Sequence, residues 1–143
     1  MFRMVSLISQ VNVQMMRFLK PTVKSMNISV PDLILLWNIN NEKQCRATDF
    51  AKWAGVPPST LTSAFDRFVA MGYIARVHDS EDRRSVLVKA TPQLEEMLEI
   101  VIKDIDQQLM NLSLPQGFVE RLMEDLFTLG TYILQQNDDK QRK

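Results

Sequence analysis

Apolar residues recur at helical spacing near both ends of the chain. The segment from Phe2 to Leu19 is expected to form a helix that ends before Pro21, with a stripe formed by Met4, Ile8, Val11, Met15 and Phe18. A long helix opens at Thr91 and Pro92, and its coiled-coil-like seam is formed by Leu94, Leu98, Val101, Ile105 and Leu109. After a break at 111–115, the stripe of a last helix comprises Phe118, Leu122, Leu126, Leu129 and Ile133. The pattern predicts three amphipathic helices that flank a shorter central region.

Two helices are predicted on either side of a short apolar piece. Ser29 and Asp32 form a capping pair at the start of the second helix. Its inward face is expected to carry Leu33, Leu36 and Trp37. The apolar piece at 45–47 is followed by a brief helix at 49–54, which Gly55 ends.

A further helix and a hairpin complete the central region. Pro58 suits the first position of a helix, because its fixed φ is helical and its missing N–H costs nothing there. This helix is expected to end before Gly72 and to bury Leu61, Phe65 and Phe68. The period then changes to two, so 74–78 and 85–90 are predicted strands around the charged loop 79–84. The predicted fold class is mainly α with a small β-hairpin, in the order of a winged helix-turn-helix.

Length and composition exclude several classes of protein. The 143 residues suffice for one domain with its own core, and 45% of them are hydrophobic. Cys45 is the single cysteine, so no disulfide forms within the chain. No apolar run reaches the roughly 18 residues of a membrane span, and polar residues interrupt 1–19 too often for a signal peptide. We therefore expect a cytoplasmic protein without a membrane partner.

Charge is balanced overall but unevenly distributed. The formal net charge of zero by itself disfavours nucleic acid as a partner. However, 42–91 is mildly basic, and acidic residues are concentrated after Pro92, at Glu95, Glu96, Glu99, Asp104, Asp106, Glu120, Glu124, Asp125, Asp138 and Asp139. This division fits one part that faces DNA and one that does not. Solvated helix faces would explain the acidic residues equally well.

The helix after Pro58 carries the residue types that a DNA-reading helix needs. Such a helix presents small polar and basic side chains to the major groove while its other face packs on the preceding helix. The side chains expected on the exposed sides are Ser59, Thr60, Thr62, Ser63 and Arg67. Hydroxyl groups and an open helix N-terminus suit phosphate and base-edge contacts. Serine and threonine are also common in the first turns of ordinary helices, so this alternative stays open at this point.

The segment 47–91 resembles the DNA-binding core of the MarR family. The resemblance rests on STLT at 59–62, Asp66-Arg67, Gly72-Tyr73-Ile74, Arg76 and the wing sequence DSEDRRS at 79–85, all in the expected order. The flanking helices agree in number and apolar character, which extends the resemblance over essentially the whole chain. It implies a sequence-specific transcriptional regulator of double-stranded DNA, for which repression is favoured over activation.

The resemblance also implies which residues contact DNA. They are Pro58, Ser59, Thr60, Thr62, Ser63, Arg67, Arg76, Arg83 and Arg84. Either Arg83 or Arg84, with Arg83 favoured, would enter the minor groove, where a narrow A·T-rich groove concentrates negative potential. The other arginine would pair with Asp66 or Asp82 and fix the wing. Pro57, Pro58 and Ser63 depart from the residue types usual in the family, which implies unusual base reading.

The terminal helices are implied to form a homodimer. In the family these helices interleave about a two-fold axis, which places two recognition helices about 34–36 Å apart on an inverted-repeat site. The resemblance therefore assigns 1–28 to an N-terminal dimerisation helix, 29–91 to the DNA-binding lobe and 92–143 to C-terminal dimerisation helices. Gly130 lies inside the last helix, at a cost of about 1 kcal/mol relative to Ala, and leaves room for another helix to approach.

Many members of the family bind a small-molecule effector, so the resemblance implies one here. A small aromatic or amphipathic ligand would bind between the dimer helices and the DNA-binding lobe and would act by preferring one lobe spacing. The candidate lining residues are Met15, Phe18, Met26, Trp37 and Trp53, although such residues at helical positions are more often simply core.

Other chemistry finds little support in the sequence. Cys45 is better explained as a small core residue than as a redox switch, and His78 is the only histidine, so no metal site and no cofactor are predicted. The chain has no nucleophile elbow, phosphate-binding glycine loop or catalytic histidine pair, so we expect no enzymatic activity and no catalytic residues. The remaining alternative is a winged-helix module for protein contacts or an anti-regulator, with weak or no DNA binding.

Overall fold

The structure, a computed structural model, describes residues 1–46, 49–51, 56–78 and 86–141. Its helices are α1 (Phe2–Lys24), α2 (Val30–Glu42), α3 (Pro58–Ala70), α4 (Pro92–Met110) and α5 (Phe118–Gln141), and residues 49–51 are also helical. Its strands are β1 (Gln44–Arg46), β2 (Ile74–His78) and β3 (Val86–Ala90). The predicted fold class, mainly helical with a small β-hairpin, is confirmed.

The three strands form one antiparallel sheet in the order β1-β3-β2. Strands β2 and β3 make the predicted hairpin, with Ile74 opposite Ala90 at one end and His78 opposite Val86 at the other. Strand β1 pairs with the other edge of β3, where Cys45 lies opposite Val88. Strand β3 is therefore the central strand, and Val88 in its middle is buried.

The core joins α2, α3, α4 and the sheet. Its largest fully buried side chains are Phe65, Phe68, Leu36, Ile39, Leu61, Leu94, Val88 and Val101. The three residues predicted to face inward from α3 are therefore buried as expected. Phe50, in the helical residues 49–51, packs against Phe65 with ring centroids 6.1 Å apart. This core fixes the buried side of α3, so its opposite side faces solvent.

Helix α1 does not end before Pro21, contrary to expectation. It continues to Lys24, with Pro21 inside its last turns. A proline inside a helix removes one backbone hydrogen bond and costs about 3 kcal/mol. Thr22 and Val23 are buried in this last turn, and the Thr22 hydroxyl donates to Oδ2 of Asp104 on α4 at 2.6 Å. Tertiary contacts after the proline thus outweigh its local cost.

Helix α2 begins with the predicted capping box. The Ser29 hydroxyl accepts from the backbone N–H of Asp32, and the Asp32 carboxylate accepts from the backbone N–H of Ser29. The prediction that Trp37 faces inward is wrong, because its side chain is 41% exposed. The inward stripe continues from Leu36 to Ile39, three residues on, whereas Trp37 is rotated by about 100° from Leu36.

The chain divides into two compact units, Met1–Ile105 and Asp106–Lys143. The first contains the sheet, α1 to α3 and most of α4. The second contains the end of α4 and α5, whose apolar stripe is largely exposed. Among the described residues, every helix is too short or too polar to traverse a lipid bilayer.

Candidate nucleic-acid interface

Helix α3 presents a continuous polar surface. Leu61, Ala64, Phe65 and Phe68 hold its buried side in the core. The exposed side chains of its first turns are the predicted Ser59, Thr60, Thr62 and Ser63, followed by Asp66 and Arg67. The helix starts after Pro57, which provides no side-chain cap. The Ser63 hydroxyl donates to the backbone carbonyl of Ser59 at 3.2 Å, which leaves its lone pairs available as acceptors.

Arg67, one of the predicted DNA contacts, is paired with a carboxylate of α2. Its Nη2 atom donates to Oδ1 of Asp32 at 2.6 Å. The guanidinium also lies 5.6 Å from the centroid of the neighbouring Phe68 ring, within the range of a cation–π contact. The side chain of Asp32 is only 13% exposed. The sequence could not predict this pair, because its members are separated by 35 positions.

Arg76, another predicted DNA contact, also has a carboxylate partner. Its Nη2 atom donates to Oδ1 of Asp66 at 2.5 Å, which ties β2 to the exposed side of α3. Both side chains are more than one-third exposed. Asp66 was predicted to fix the wing by pairing with Arg83 or Arg84. Within the described part of the chain, Asp66 pairs with Arg76 on β2, the first strand of the same hairpin.

Several predicted site residues fall outside the described residues. They are the side chain of Pro58 together with Trp53, Asp82, Arg83 and Arg84. Strand β2 ends at His78 and strand β3 begins at Val86, and the predicted wing lies between these residues in the sequence. The roles of Arg83 and Arg84 therefore stay predictions.

An apolar cavity of about 200 Å³ lies between α2 and α4. Its lining residues are Leu33, Ile34, Trp37, Leu98, Val101, Ile102 and Ile105. Of the predicted effector-binding residues, Trp37 lines this cavity, Met26 packs against the core, and Met15 and Phe18 lie on α1.

Cys45 lies beside a second cavity, of about 210 Å³, lined by Asn38, Glu42, Cys45, Asp49 and Phe50. Burial, together with the nearby carboxylates of Glu42 and Asp49, raises the pKa of the Cys45 thiol to about 11. The thiol is therefore protonated at neutral pH, and the protonated form is a poor nucleophile. Within 1–46, 49–51, 56–78 and 86–141, no group of three or more His, Cys, Asp or Glu side chains is arranged to hold a metal ion.

Comparisons with known proteins agree with this arrangement. The model of the MarR family matches residues 28–86. An uncharacterised HTH-type transcriptional regulator of Bacillus subtilis, YfiV, is 35% identical over 66 residues, which make up 46% of this chain and 41% of that protein. The matched segment thus spans less than half the length of this curated relative.

Solved structures extend the similarity to nearly the whole chain. A cysteine-to-serine mutant of MarR from E. coli complexed with operator DNA has a TM-score of 0.71 and 26% identity, covering 89% of this chain and 93% of that one. A MarR transcriptional regulator from Methanosarcina mazei has a TM-score of 0.81 at 16% identity, covering 94% and 99%, and shares the fold. The fold is that of a winged-helix protein. Residues 28–86 match the MarR family of winged-helix transcriptional regulators, and the chain as a whole shares the fold of solved MarR proteins.

Proposed function

We propose that the chain is a sequence-specific DNA-binding transcriptional repressor that acts in the cytoplasm as a homodimer on an inverted-repeat operator, and that it is not an enzyme. The observation that carries the proposal is the surface of α3. Its exposed hydroxyl residues lie opposite Leu61, Phe65 and Phe68, and the hairpin follows directly. A similar chain from E. coli was solved with operator DNA. In this proposal α3 is the recognition helix and enters the major groove.

Arginine residues of the wing supply the second part of the proposed contact. Arg83 or Arg84 enters the minor groove next to the site that α3 reads, and the other stabilises the wing. Arg67 and Arg76 each pair with a carboxylate. We therefore assign most of the electrostatic attraction to DNA to Arg83 and Arg84. In the same proposal, residues 29–91 form the DNA-binding lobe, and residues 1–28 and 92–143 form the dimerisation helices.

Exposed apolar residues support the homodimer. In the first unit, α1 exposes Met4, Ile8, Val11 and Met15, and in the second, α5 exposes Phe118, Leu122, Leu126 and Ile133. Contiguous apolar surfaces of this kind mark interaction sites in proteins that are otherwise polar outside. Apart from its two chain neighbours and the adjacent backbone of its own helix, no atom of the described chain lies within 4 Å of a methyl group built on Gly130, so the surface there is open to a second helix.

The cavity between α2 and α4 supports control by an effector. Its volume of about 200 Å³ exceeds the roughly 150 Å³ that accommodates a benzene ring in an apolar protein cavity. All seven lining residues are apolar, which fits a small aromatic or amphipathic ligand. Such a ligand changes the affinity for DNA only if it binds more tightly to one of two spacings between the DNA-binding lobes of the dimer.

DNA binding is tested by gel shift on the promoter region nearest the gene, at several salt concentrations. We expect binding that weakens as salt rises. The double variant Arg83→Ala/Arg84→Ala is expected to bind all duplexes more weakly, whereas Ser63→Ala changes sequence preference. Absence of binding even at low salt would favour the alternative, a winged-helix module for protein contacts. Unchanged affinity in the wing variant would refute the role of the wing.

The homodimer is tested by light scattering. The wild-type chain is expected to have twice its monomer mass of 16.6 kDa. Leu126→Glu, on the exposed stripe of α5, is expected to shift it to monomer, while Thr128→Glu, on another side of the same helix, leaves it dimeric. A wild-type monomer at low concentration would contradict the proposal.

The effector proposal is tested by tryptophan fluorescence in a Trp53→Phe background, so that Trp37 alone reports. Phenol or benzoate is expected to change the Trp37 emission with saturation. Ile102→Phe narrows the cavity and is expected to weaken the response, whereas Ile100→Phe, on the same helix but 62% exposed, is expected to retain it. An equal response in both variants would place the ligand elsewhere.

A further inference from the structure

The charged side chains of α3 are engaged with other elements of the protein. Oδ1 of Asp32 holds Arg67, and Oδ2 of the same carboxylate accepts from the backbone N–H and the hydroxyl of Ser29 at 2.9 and 2.8 Å. Asp66 in turn holds Arg76. To reach a guanine, Arg67 would have to leave a carboxylate that is largely buried and belongs to a capping box. Removing one partner from such a pair leaves the other charge poorly compensated.

Among the described side chains on the first two turns of α3, the exposed ones carry hydroxyl and methyl groups. Thr60 and Thr62 each carry a methyl group and are exposed, and Ser59 and Ser63 carry hydroxyls. In the present rotamer the Ser63 proton is used by the Ser59 carbonyl, so Ser63 meets DNA as an acceptor. An acceptor suits the amino groups of adenine and cytosine, whereas guanine presents only acceptors in the major groove.

Base pairs differ in what they offer to such a surface. Guanine is most often read by a bidentate arginine or lysine, and thymine by apolar contact with its C5 methyl group. Resting on the proposed function, we infer that α3 selects A·T pairs through thymine methyl groups contacted by Thr60 and Thr62, without an arginine-to-guanine contact. Arg67 is then a positioning residue that fixes α3 against α2. The operator half-site read by α3 is accordingly enriched in A·T pairs, with thymines at the positions that Thr60 and Thr62 contact.

The first test changes only the DNA. Duplexes that bind the full-length wild-type chain at low salt are selected from a random pool, and each thymine of the half-site is replaced by uracil, which lacks the C5 methyl group. We expect affinity to fall about fourfold for each contacted thymine, as for the loss of one buried methyl group. Replacing guanine by 7-deazaguanine, which removes the N7 acceptor, is expected to change affinity by less than about twofold within the half-site.

The second test uses matched protein variants. Thr62→Val keeps a methyl group and is expected to retain the penalty for uracil, whereas Thr62→Ser lacks the methyl and loses that penalty. The same pair of variants is made at Thr60. Arg67→Ala is expected to weaken binding equally on all duplexes and to leave the dependence of affinity on salt unchanged. A lost phosphate contact would instead reduce the slope by about one.

The outcomes separate this inference from the proposed function. Selected sites rich in guanine, with a 7-deazaguanine penalty that disappears in Arg67→Ala, would overturn the inference while leaving the proposed function intact. Binding without any uracil penalty would overturn it as well. If no duplex is selected even at low salt, the proposed function itself is wrong. The DNA substitutions need no protein variant, so the test does not depend on how well a variant folds.

Discussion

The hydroxyl of Thr91 donates to the backbone carbonyl of Gly72 at 2.6 Å, which joins the start of α4 to the end of α3. The same hydroxyl lies 3.0 Å from the carbonyl of Tyr73 and accepts from the backbone N–H of Leu94 at 3.3 Å. One side chain therefore satisfies polar groups at the end of α3 and in the first turn of α4. The joint sets the position at which α3 leaves the core and the hairpin begins.

Thr91→Val is expected to lower the free energy of unfolding by about 1–2 kcal/mol, because it keeps the shape of the side chain but leaves these polar groups without the hydroxyl. Thr91→Ser retains the hydroxyl and is expected to cost less than about 0.5 kcal/mol. Urea unfolding at a fixed protein concentration measures both. Equal losses in the two variants would show that the methyl group, and not the hydroxyl, stabilises the joint.

Gly72 follows the end of α3 with φ +77°, a conformation that disfavours any side chain. A methyl group there would also lie 2.6 Å from Oε1 of Gln93, whose Nε2 donates to the carbonyl of Met71. Gly72→Ala is expected to destabilise the fold by about 1–3 kcal/mol. In a Gln93→Ala background the collision is absent, so the cost should fall but remain near 1 kcal/mol. Thermal unfolding of the wild type, the two single variants and the double variant measures these costs. If Gly72→Ala costs no stability in the Gln93→Ala background, the backbone at position 72 is not strained by a side chain.

The Arg76–Asp66 pair is expected to matter for DNA binding more than for stability. Both side chains are well exposed, so breaking the pair should change the free energy of unfolding by less than about 1 kcal/mol. Arg76→Ala leaves the Asp66 carboxylate unneutralised on the proposed DNA-binding surface, which should weaken duplex binding by about threefold to tenfold at low salt. Adding Asp66→Asn should recover most of the loss in fluorescence anisotropy.

A matched control for this pair is Lys103→Ala, which removes the same charge from an exposed position on α4. We expect it to change duplex affinity much less than Arg76→Ala. Similar losses in the two variants would mean that net charge, and not the local carboxylate, controls binding.

Cys45 is expected to react slowly with iodoacetamide at pH 7, with a rate that rises until about pH 11, because burial raises the pKa of its thiol. Since this pKa is above the value of 9.0 expected without burial, the native state holds the proton more tightly than the unfolded state. The resulting stability is present below pH 9 and is lost as pH rises towards 11. Comparison with Cys45→Ala between pH 8 and pH 11 isolates this contribution. Rapid alkylation at pH 7 would contradict the assignment of Cys45 as an inert thiol.

Predictions based on neighbouring residues were the most successful. The Ser29/Asp32 capping box, the start of α3 at Pro58 and the stop at Gly72 each depend on residues within one or two turns. The period of two at 74–78 likewise identified β2. Local patterns therefore sufficed for the element order and for the winged-helix class, and the hydroxyl-rich surface of α3 followed from the same periodicity.

Predictions that depend on distant residues were less complete. The continuation of α1 past Pro21 requires the Thr22 contact with Asp104, 82 positions away. The exposed position of Trp37 depends on which stripe of α2 the core covers, and short helices leave that choice open by one residue. A short apolar piece was expected at 45–47, but its pairing with β3 as strand β1 was not, because sequence periodicity does not report the partner of a strand.

The amino-acid order alone was enough for the order of the helices, the hairpin, the capping residues and the resemblance to the MarR family, since each of these is encoded in short-range spacing. The charge environment of the candidate interface depended on folding. Arg67 and Arg76 look identical to unpaired DNA-binding arginines in the sequence, and only the packing of α3 against α2 and β2 brings Asp32 and Asp66 within hydrogen-bonding distance of them. The Coulomb energy of a pair depends on separation in space, which a one-dimensional pattern does not contain.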